Sequence, residues 1–321
     1  MKKLISILMI TYNHEKYIEK AIESVLMQEG DFDFELLIGN DKSPDNTEKI
    51  LEKYLDDKRI KIFNREKNLG ANNNLWDLEM KAKGDYIAIL EGDDFWITKD
   101  KLQKQLEILE KNKNIILCYT DSYKINENEK IIGEKKTDIQ EIKNLNSLFL
   151  FSSGIPTGTV LFRNIFTNNG NIIKIKKLLL SSEIIGDLPL FALLIGNGKF
   201  YRIDQIMGAY RFITNNKTST SFSSRESSYK YYEMYKVLKG IAEYYNFGRI
   251  KRFFLIKRIE DKLIKSLKKE KIEIENYSEE ISLGKIIGNY IYMILKPIDK
   301  LNIKIKKYLI FSKIKKGNLS K

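Results

Sequence analysis

The stretch DYIAILEGDDFW, residues 85–96, places three carboxylates directly after an apolar run that is typical of a buried β-strand. Glu91, Asp93 and Asp94 lie within four positions, and like charges this close repel one another. A surface turn would hold them in water, whereas a bound metal ion would hold them by coordination. The residues around this stretch bear on which alternative applies.

The composition is that of a globular chain with a basic C-terminal region. The 321 residues are 43% hydrophobic, which suffices for one large domain and a smaller one. Residues 246–321 hold 20 Lys and Arg against 8 Asp and Glu, so they carry most of the net charge of +13. A nucleic-acid-binding protein normally has basic residues on its folded core as well. We therefore expect no nucleic acid partner.

Cysteine usage and the N-terminus indicate the compartment. Cys118 is the only cysteine, so an intrachain disulfide is excluded, and one cysteine with the single His14 does not make a zinc cluster. The run ISILMIT, residues 5–11, lacks a signal-peptide cleavage site and predicts a β-strand. No apolar run reaches the length of about 18 residues typical of a transmembrane helix. We expect a cytoplasmic protein, with peripheral association at the inner face of the cell membrane.

Strands and helices alternate in the first half of the chain. The patterns predict strands over 5–11, 34–41, 59–64, 85–94 and 114–122, and helices over 14–28, 46–55, 68–84 and 99–112. Ser43 and Asp45 are typical of helix caps. Such alternation predicts an α/β fold with a mixed, mostly parallel sheet flanked by helices.

The second half is less regular. GDLPLFALLIGNG (186–198) predicts a short helix, GKFYRID (198–204) a strand, and the chain is helical and basic from about residue 225. We therefore predict a catalytic domain over residues 1–220. A basic, helical C-terminal extension follows over residues 221–321.

Polar residues follow three of the predicted strands. Thr11, Tyr12 and Asn13 end the first strand, residues 40–41 (Asn-Asp) end the second, and the acidic cluster at 91–94 ends the fourth. Ligands of such sheets bind beyond the carboxyl ends of the strands. We expect these groups to meet at one edge of the sheet.

These segments together resemble inverting family 2 glycosyltransferases with a GT-A fold. The opening ISILMITYNHEKYIEKAIESVLMQ (5–28), Asp41, LEGDDFW (90–96), GDLPLF (186–191) and GAYR (208–211) follow the order used in that family. The resemblance covers residues 4 to about 215. It implies transfer of a sugar from a nucleotide-diphospho-sugar donor, of the UDP-sugar type, to a glycan or lipid-linked acceptor in bacterial cell-surface polysaccharide synthesis.

The acidic cluster resembles the DxD motif of that family, with Glu91 in the first place and Asp93 in the last. The resemblance implies a Mg²⁺ or Mn²⁺ cofactor between the carboxylates and the donor diphosphate, because these hard cations prefer oxygen ligands. The implied metal ligands are Asp93 and Asp94. The alternative is a solvated acidic turn.

The resemblance also implies a donor-binding set. Its members are Thr11, Tyr12, Asn13, Glu15, Asp41, Gly70, Glu91, Asp93 and Arg211. Asp41 would accept a hydrogen bond from the base, which favours a uracil-like pyrimidine; the alternative is that it caps the next helix. In NREKNLGANNN (64–74), Gly70 permits a close backbone approach, and Arg65 or Lys67 would face phosphate or remain solvated.

Two further positions matter for chemistry. Arg211, in the motif with Tyr210, resembles a residue near the donor phosphates, which an arginine can contact at two points; the alternative is a surface cation. Asp187 resembles the catalytic base, which removes the proton of the acceptor hydroxyl during attack. Glu183 is the reserve for that role, and a helix cap is the alternative for Asp187. The pattern indicates that His14 lies at the start of a helix.

The C-terminal tail, residues 281–316, mixes apolar and aromatic residues with lysines. It suits an interfacial helix on an anionic membrane, or a helical bundle that packs on the catalytic domain.

Two other functions compete with glycosyl transfer. A sugar-1-phosphate nucleotidyltransferase would need a Gly-rich, Arg-containing loop after the first strand. A non-enzymatic basic protein that binds membranes or nucleic acid would explain the tail and leave the acidic strand ends unexplained.

Overall fold

The computed structural model describes residues 2–167, 171–212 and 227–249, and then 251–252, 255–256, 259, 262 and 266. Contacts divide the chain into two compact units, Met1–Phe247 and Gly248–Lys321. Within the described residues, no helix is both long and apolar enough to cross a bilayer. The predicted domain boundary after residue 220 and the tail at 281–316 lie outside the described residues.

All strands and α-helices bounded here belong to the first unit. The strands are β1 (Lys3–Thr11), β2 (Phe32–Asn40), β3 (Ile60–Asn64), β4 (Tyr86–Ile89), β5 (Phe95–Trp96), β6 (Ile115–Ile125), β7 (Ile131–Lys135), β8 (Glu141–Ile142), β9 (Leu161–Arg163) and β10 (Lys199–Arg211). The helices are α1 (Ile18–Leu26), α2 (Thr47–Leu51), α3 (Ala71–Lys81), α4 (Lys101–Lys111), α5 (Leu145–Phe151), α6 (Ile172–Leu179), α7 (Asp187–Ile195) and α8 (Ser227–Tyr244).

The strands form one mixed sheet in the order β3-β2-β1-β4-β9-β6-β10-β5. The pairs β3–β2, β2–β1, β1–β4 and β6–β10 are parallel. The short strand β9 is antiparallel to both β4 and β6, and it joins the two parallel parts. The predicted α/β fold with a mixed, mostly parallel sheet is confirmed.

The core lies between the sheet and helices α1 and α4. Alternate β1 residues Ile5, Ile7 and Met9 belong to one buried cluster with Ile22 of α1 and Leu106 of α4. Burying a side chain of this size contributes about 1.5–3 kcal/mol. This packing fixes the direction of β1, and so fixes where the strand ends.

The strand predicted over 85–94 is shorter, because a turn interrupts it. The backbone N–H of Gly92 donates to the Ile10 carbonyl at 3.0 Å, and that of Asp94 donates to the Glu91 carbonyl at 3.1 Å. The first bond ties the segment to β1, the second closes residues 91–94 into a turn, and β5 begins only afterwards. The acidic residues therefore occupy a turn between two strands.

Other boundaries also differ from the predictions, among them the ends of α2, α3 and β6, and two of these differences bear on the site. Helix α1 starts at Ile18 because the preceding residues form a turn, in which the Tyr17 N–H donates to the His14 carbonyl at 2.9 Å. The strand predicted over 198–204 continues to Arg211 because β10 pairs with β6 along its length, across three register shifts. The longer β10 brings residues 208–211 to the acidic turn.

One buried cation lies beneath this region of the sheet. Lys101 of α4 is fully buried, and its Nζ donates to Gln105 Oε1 at 2.8 Å. The same Nζ lies 4.1 Å from the ring centroid of Trp96, whose indole N–H donates to the Gly158 carbonyl at 2.6 Å. Burial lowers the pKa of Lys101 to about 7.

We expect the Lys101→Met variant to lose a pH dependence of stability. Between pH 7 and 10 the unfolded chain keeps the lysine proton and the folded chain releases it, so this group makes the free energy of unfolding rise with pH, by up to about 1.4 kcal/mol per unit. Urea unfolding at pH 7, 8 and 9 measures the slope. Lys104→Met on the same helix, whose half-buried side chain pairs with Asp100, is the control. An equal slope in wild type and Lys101→Met would contradict the prediction.

Candidate active site

The three predicted polar clusters meet at one edge of the sheet. The backbone N–H of Asp41 donates to the carbonyl of Thr11 at 2.9 Å, which joins the ends of β1 and β2. A Cβ atom on Gly92 would lie 2.8 Å from Thr11 Oγ1, so the acidic turn packs directly against the end of β1. Glycine at this position allows the close approach.

Within the acidic turn, the carboxylates of Glu91 and Asp94 are turned inward. Asp94 is 4% exposed, and its Oδ1 accepts the backbone N–H of Arg211 at 2.7 Å. A Cβ atom on Gly158 would lie 3.2 Å from Glu91 Oε2 and 3.4 Å from Asp94 Oδ2. Both oxygens therefore face the same glycine, and a larger residue there would press on them.

Burial and mutual repulsion disfavour the charged forms of these two groups. Burial, with the charge of Asp93 adding to it, raises the pKa of Glu91 to about 7. Burial also raises the pKa of Asp94 well above its usual range, followed by the charges of Asp93 and Glu91. Glu91 Oε2 is buried without a hydrogen-bond partner among the described residues. A bound cation would relieve both effects.

Asp93 is the accessible member of the cluster. Its side chain is 23% exposed, and Oδ2 lies 3.9 Å from His14 Nε2. His14 Nδ1 lies 3.2 Å from Thr11 Oγ1. In the described residues, no three His, Cys, Asp or Glu side chains form a preformed metal site. The two predicted metal ligands therefore differ, since Asp93 faces the opening and Asp94 faces the interior.

Arg211 is enclosed by the protein. Its side chain is 1% exposed, Nε donates to the Asp93 carbonyl at 2.9 Å, and Nη2 lies 3.4 Å from Glu129 Oε1. Nη1 donates to the carbonyls of Asn126 and Glu127 at 3.2 and 3.3 Å, and the guanidinium lies 4.1 Å from the Tyr17 ring centroid. These contacts hold the acidic turn on β10, whereas the predicted contact with donor phosphates stays a prediction.

The residues after β1 form a turn that docks on the start of α2. Asn13 has φ +61°, a left-handed conformation that asparagine tolerates, and its N–H donates to Ser43 Oγ at 3.1 Å. Glu15 Oε2 accepts from the backbone N–H and the side-chain amide of Asn46, both at 2.9 Å. The cap predicted at Ser43 is therefore wrong, because Ser43 bonds to Asn13 and Asn40, and Glu15 serves the helix start instead.

Asp45 bonds to the first residue of α2, although the N-cap position itself is Asn46. Its Oδ1 accepts the backbone N–H of Thr47 at 3.1 Å and the hydroxyl of the same residue at 2.6 Å. Its Oδ2 accepts the backbone N–H of Glu15 at 2.9 Å. Tyr12, which directly follows β1, is partly exposed.

Asp41 organises the turn before α3. Its Oδ1 accepts the N–H of Leu69 at 2.7 Å and its Oδ2 accepts the N–H of Gly70 at 2.9 Å. Gly70 has φ +83°, which favours glycine, and it is the N-cap residue immediately before α3. The helix-cap alternative for Asp41 is wrong, because the amides that it accepts precede α3 and the N-cap of α2 is Asn46. Its proposed contact with a base is untested.

The two cations in this turn differ. Arg65 Nε donates to Asn74 Oδ1 at 3.0 Å, and its Nη2 lies 2.6 Å from Asp77 Oδ2, so Arg65 is turned onto α3. Lys67 is exposed. Of the two cations predicted to face phosphate, Lys67 has the freer position.

Asp187 lies at the first position of α7 and is partly exposed. Its Oδ1 accepts the N–H of Leu188 at 2.8 Å. Its charge raises the pKa of Glu91 and of Tyr210, although burial is the larger cause for both groups. Glu183, the reserve base, is exposed and accepts from the Tyr229 hydroxyl at 3.3 Å. The structure therefore brings Asp187 into the electrostatic field of the acidic turn.

Lys135 was not predicted from the sequence. It lies on β7, its Nζ is 4.8 Å from the ring centroid of Tyr210, and its charge lowers the pKa of Glu91 and Asp94 against the effect of burial. The chain has 56 Lys and Arg residues, so nothing in the local pattern distinguishes this lysine. It is the cation that partly balances the acidic turn.

Comparison with known proteins identifies the family. The sequence pattern described as Glycosyl transferase family 2 matches residues 6–169. The uncharacterized glycosyltransferase MJ1057 of Methanocaldococcus jannaschii is 30% identical over 236 residues, which cover 73% of this chain and 79% of that protein. The chain belongs to glycosyl transferase family 2. Asp187 and Arg211 lie beyond the residues that the family pattern matches.

Other relatives of this family 2 glycosyltransferase are more distant or are matched in part. Escherichia coli WfgD, named as a UDP-Glc:alpha-D-GlcNAc-diphosphoundecaprenol beta-1,3-glucosyltransferase, is 40% identical over 132 residues, which cover 41% of this chain and 50% of WfgD. The chain spans 34% of the length of three mycobacterial relatives. Residues 1–349 of Staphylococcus aureus TarS, crystallised with UDP-GlcNAc, match with a TM-score of 0.57 at 19% identity, over 83% of this chain and 72% of that one. This likeness confirms the GT-A fold.

We expect Arg211→Lys to destabilise the protein by about 2–4 kcal/mol, because the backbone carbonyls around the guanidinium lose their donors inside the protein. Urea unfolding measures the change. The same substitution at Arg59, whose ion pair with Asp57 is exposed, is the matched control and should cost under about 1 kcal/mol. Equal effects at the two positions would contradict the role of Arg211 in holding the acidic turn.

Proposed function

We propose that this chain is an inverting glycosyltransferase that moves a sugar from a nucleotide-diphospho-sugar, of the UDP-sugar class, to a hydroxyl group of a glycan or lipid-linked acceptor in cell-surface polysaccharide synthesis. The observation that carries the proposal is the meeting of the acidic turn with the ends of β1 and β2, within the electrostatic field of Asp187. Membership of family 2 supports the transferase over a nucleotidyltransferase or a non-enzymatic binding protein. The donor in the name of WfgD, UDP-Glc, and the UDP-GlcNAc in the TarS crystal favour a UDP-sugar.

Mg²⁺ or Mn²⁺ suits the chemistry of the acidic turn. Asp93 and Asp94 would hold the ion, with Asp93 nearer the opening, and the donor phosphates and water would supply further oxygen ligands. The buried Glu91 Oε2 without a hydrogen-bond partner and the raised pKa values of Glu91 and Asp94 fit a site that gains from a cation. When bound, the ion acts as a Lewis acid that stabilises the departing diphosphate.

The proposed donor site lies around the same edge. Its residues are Thr11, Tyr12, Asn13, Glu15, Asp41, Gly70, Glu91, Asp93 and Arg211. In this proposal Glu15 and Arg211 act by fixing backbone, because hydrogen bonds within the protein already occupy their charged groups. Asp93 lies at the opening, where a diphosphate would approach. Asp41 keeps free lone pairs on its carboxylate beside the two amide bonds that it accepts.

Asp187 is the proposed general base. The acceptor oxygen attacks the anomeric carbon, and its proton passes to a carboxylate oxygen of Asp187. The bond from the anomeric carbon to the diphosphate oxygen breaks, and the electron pair leaves with UDP. Attack from the side opposite the leaving group inverts the anomeric configuration. A cytoplasmic location, with the tail on an anionic membrane surface, completes the proposal and would bring the enzyme to a lipid-linked acceptor.

Among the four nucleotides UDP, GDP, CDP and dTDP, we expect the protein to bind UDP with a clear preference. This binding should occur only when Mn²⁺ or Mg²⁺ is present. Asp93→Asn should lose this binding, because the carboxylate nearest the opening is removed. Calorimetric titration of each nucleotide measures the Kd. Asp56→Asn, an exposed aspartate on the surface, is the charge-matched control. No nucleotide binding by the wild type in the presence of metal would refute the donor site.

We expect Asp187→Asn to lower the turnover number for sugar transfer by about 10²–10⁴-fold, the usual contribution of a general base, while UDP binding is retained. The assay uses a UDP-sugar that the protein binds, with a radiolabel on the sugar, and measures transfer of the label to a membrane lipid extract. Glu183→Gln is the control and should transfer at the wild-type rate. If Glu183→Gln is inactive and Asp187→Asn active, the base is misassigned.

A further inference from the structure

The segment that carries the proposed base is held from two sides. The base segment, residues 182–187, lies between the N-terminal turn of α3 and helix α8. Ser182 Oγ accepts the N–H of Ile185 at 2.9 Å and that of Ile184 at 3.2 Å, which folds the segment on itself. Its remaining polar contacts reach other parts of the chain.

On the α3 side the contact is Asn72. Its side-chain amide donates to the carbonyl of Ser182 at 2.7 Å. A Cβ atom on Gly186 would lie 2.5 Å from Asn72 Oδ1. Asn72 therefore occupies the volume of a side chain at the position just before Asp187. This explains why glycine stands at 186.

On the α8 side the contact is Glu233. This carboxylate is 1% exposed, and its Oε2 accepts the Ser182 hydroxyl at 2.7 Å and the Glu183 N–H at 2.9 Å. Lys236 on the same helix lies 2.7 Å from Glu233 Oε1. Hydrogen bonds to a charged acceptor are stronger than neutral ones. The contact with α8 is thus the stronger of the two contacts that hold the base segment.

Asn72 connects this segment to the donor side of the site. It is the second residue of α3, and α3 begins at the Gly70 turn, whose amides donate to Asp41. One continuous path of hydrogen bonds and short backbone therefore runs from Asp41 through the turn and Asn72 to Ser182, and Asn72 also packs against Gly186, the residue before Asp187. A shift of the turn on nucleotide binding would move Asn72, and with it the base segment.

We propose that Asn72 is a positioning residue that ties the donor-side turn to the base segment, so that an occupied donor site fixes Asp187. The proposal rests on the proposed function, in which Asp187 is the base. Asn73 offers a matched control, because it is exposed and, within the described part of the chain, its side-chain amide donates only to the Leu69 carbonyl one turn earlier, at 3.0 Å.

Hydrogen–deuterium exchange of the full-length protein tests this tie without an acceptor. In Asn72→Ala the amides of Glu183, Ile184 and Ile185 should exchange about fivefold faster than in wild type, the factor expected from the loss of one hydrogen bond. UDP with Mn²⁺ should slow this exchange in wild type and Asn73→Ala, and leave it unchanged in Asn72→Ala. The turnover of a UDP-sugar should fall about 10- to 100-fold in Asn72→Ala with the Kd for UDP unchanged.

A second variant tests the contact itself. Gly186 has φ −103°, which alanine adopts without strain, so the added Cβ of Gly186→Ala acts only through Asn72. We expect Gly186→Ala to displace the Asn72 side chain and to speed exchange of the base segment as much as Asn72→Ala does. The double variant should be no worse than either single variant.

Three results would overturn the proposal: unchanged exchange in Asn72→Ala, an equal effect in Asn73→Ala, or additive effects in the double variant. Failure of the proposed function has a different signature. If the wild type binds no nucleotide diphosphate, the proposed donor site is wrong. The hydrogen–deuterium exchange rates of the nucleotide-free single and double variants still decide whether Asn72 holds the base segment.

Discussion

The site depends on keeping two carboxylates, Glu91 and Asp94, out of water next to a third. Desolvating like charges is unfavourable, so the fold must supply compensating groups around the turn. The backbone N–H of Arg211 bonds to Asp94, and Lys135 contributes positive charge from β7. Strand β10 supplies the first group, and β7, which pairs antiparallel with β6, supplies the second. The acidic turn is therefore held by the sheet itself.

Much of this arrangement follows from local sequence patterns. The period of the apolar residues places β1, α1, β2 and β3, and the turn residues place the polar clusters at the ends of strands. Parallel strands bring these ends together, so the meeting of Thr11, Asp41 and the acidic turn was predictable. Asp187 was placed by its resemblance to a family motif, and the structure locates it at the start of α7.

The partners of individual side chains could not be predicted. Glu15 and Arg211 carry the charges expected of ligand-binding residues, yet their charged groups bond to the protein. Asn72 and Glu233 meet the base segment across 110 and 51 positions of sequence, and local patterns hold no information about such contacts. The strand β7 has two exposed isoleucines, Ile131 and Ile132, so it lacks the alternation that would indicate a strand.

The bonds from Glu233 also bear on where the catalytic part of the chain ends. A chain cut between α7 and α8 would remove Glu233, the acceptor of the Ser182 hydroxyl and of the Glu183 amide. Helix α8 therefore belongs to the smallest folded piece that keeps Asp187 in place. Truncated versions intended for crystallisation should extend through Tyr244. Alignments of related transferases should include α8, so that the residue equivalent to Glu233 can be compared.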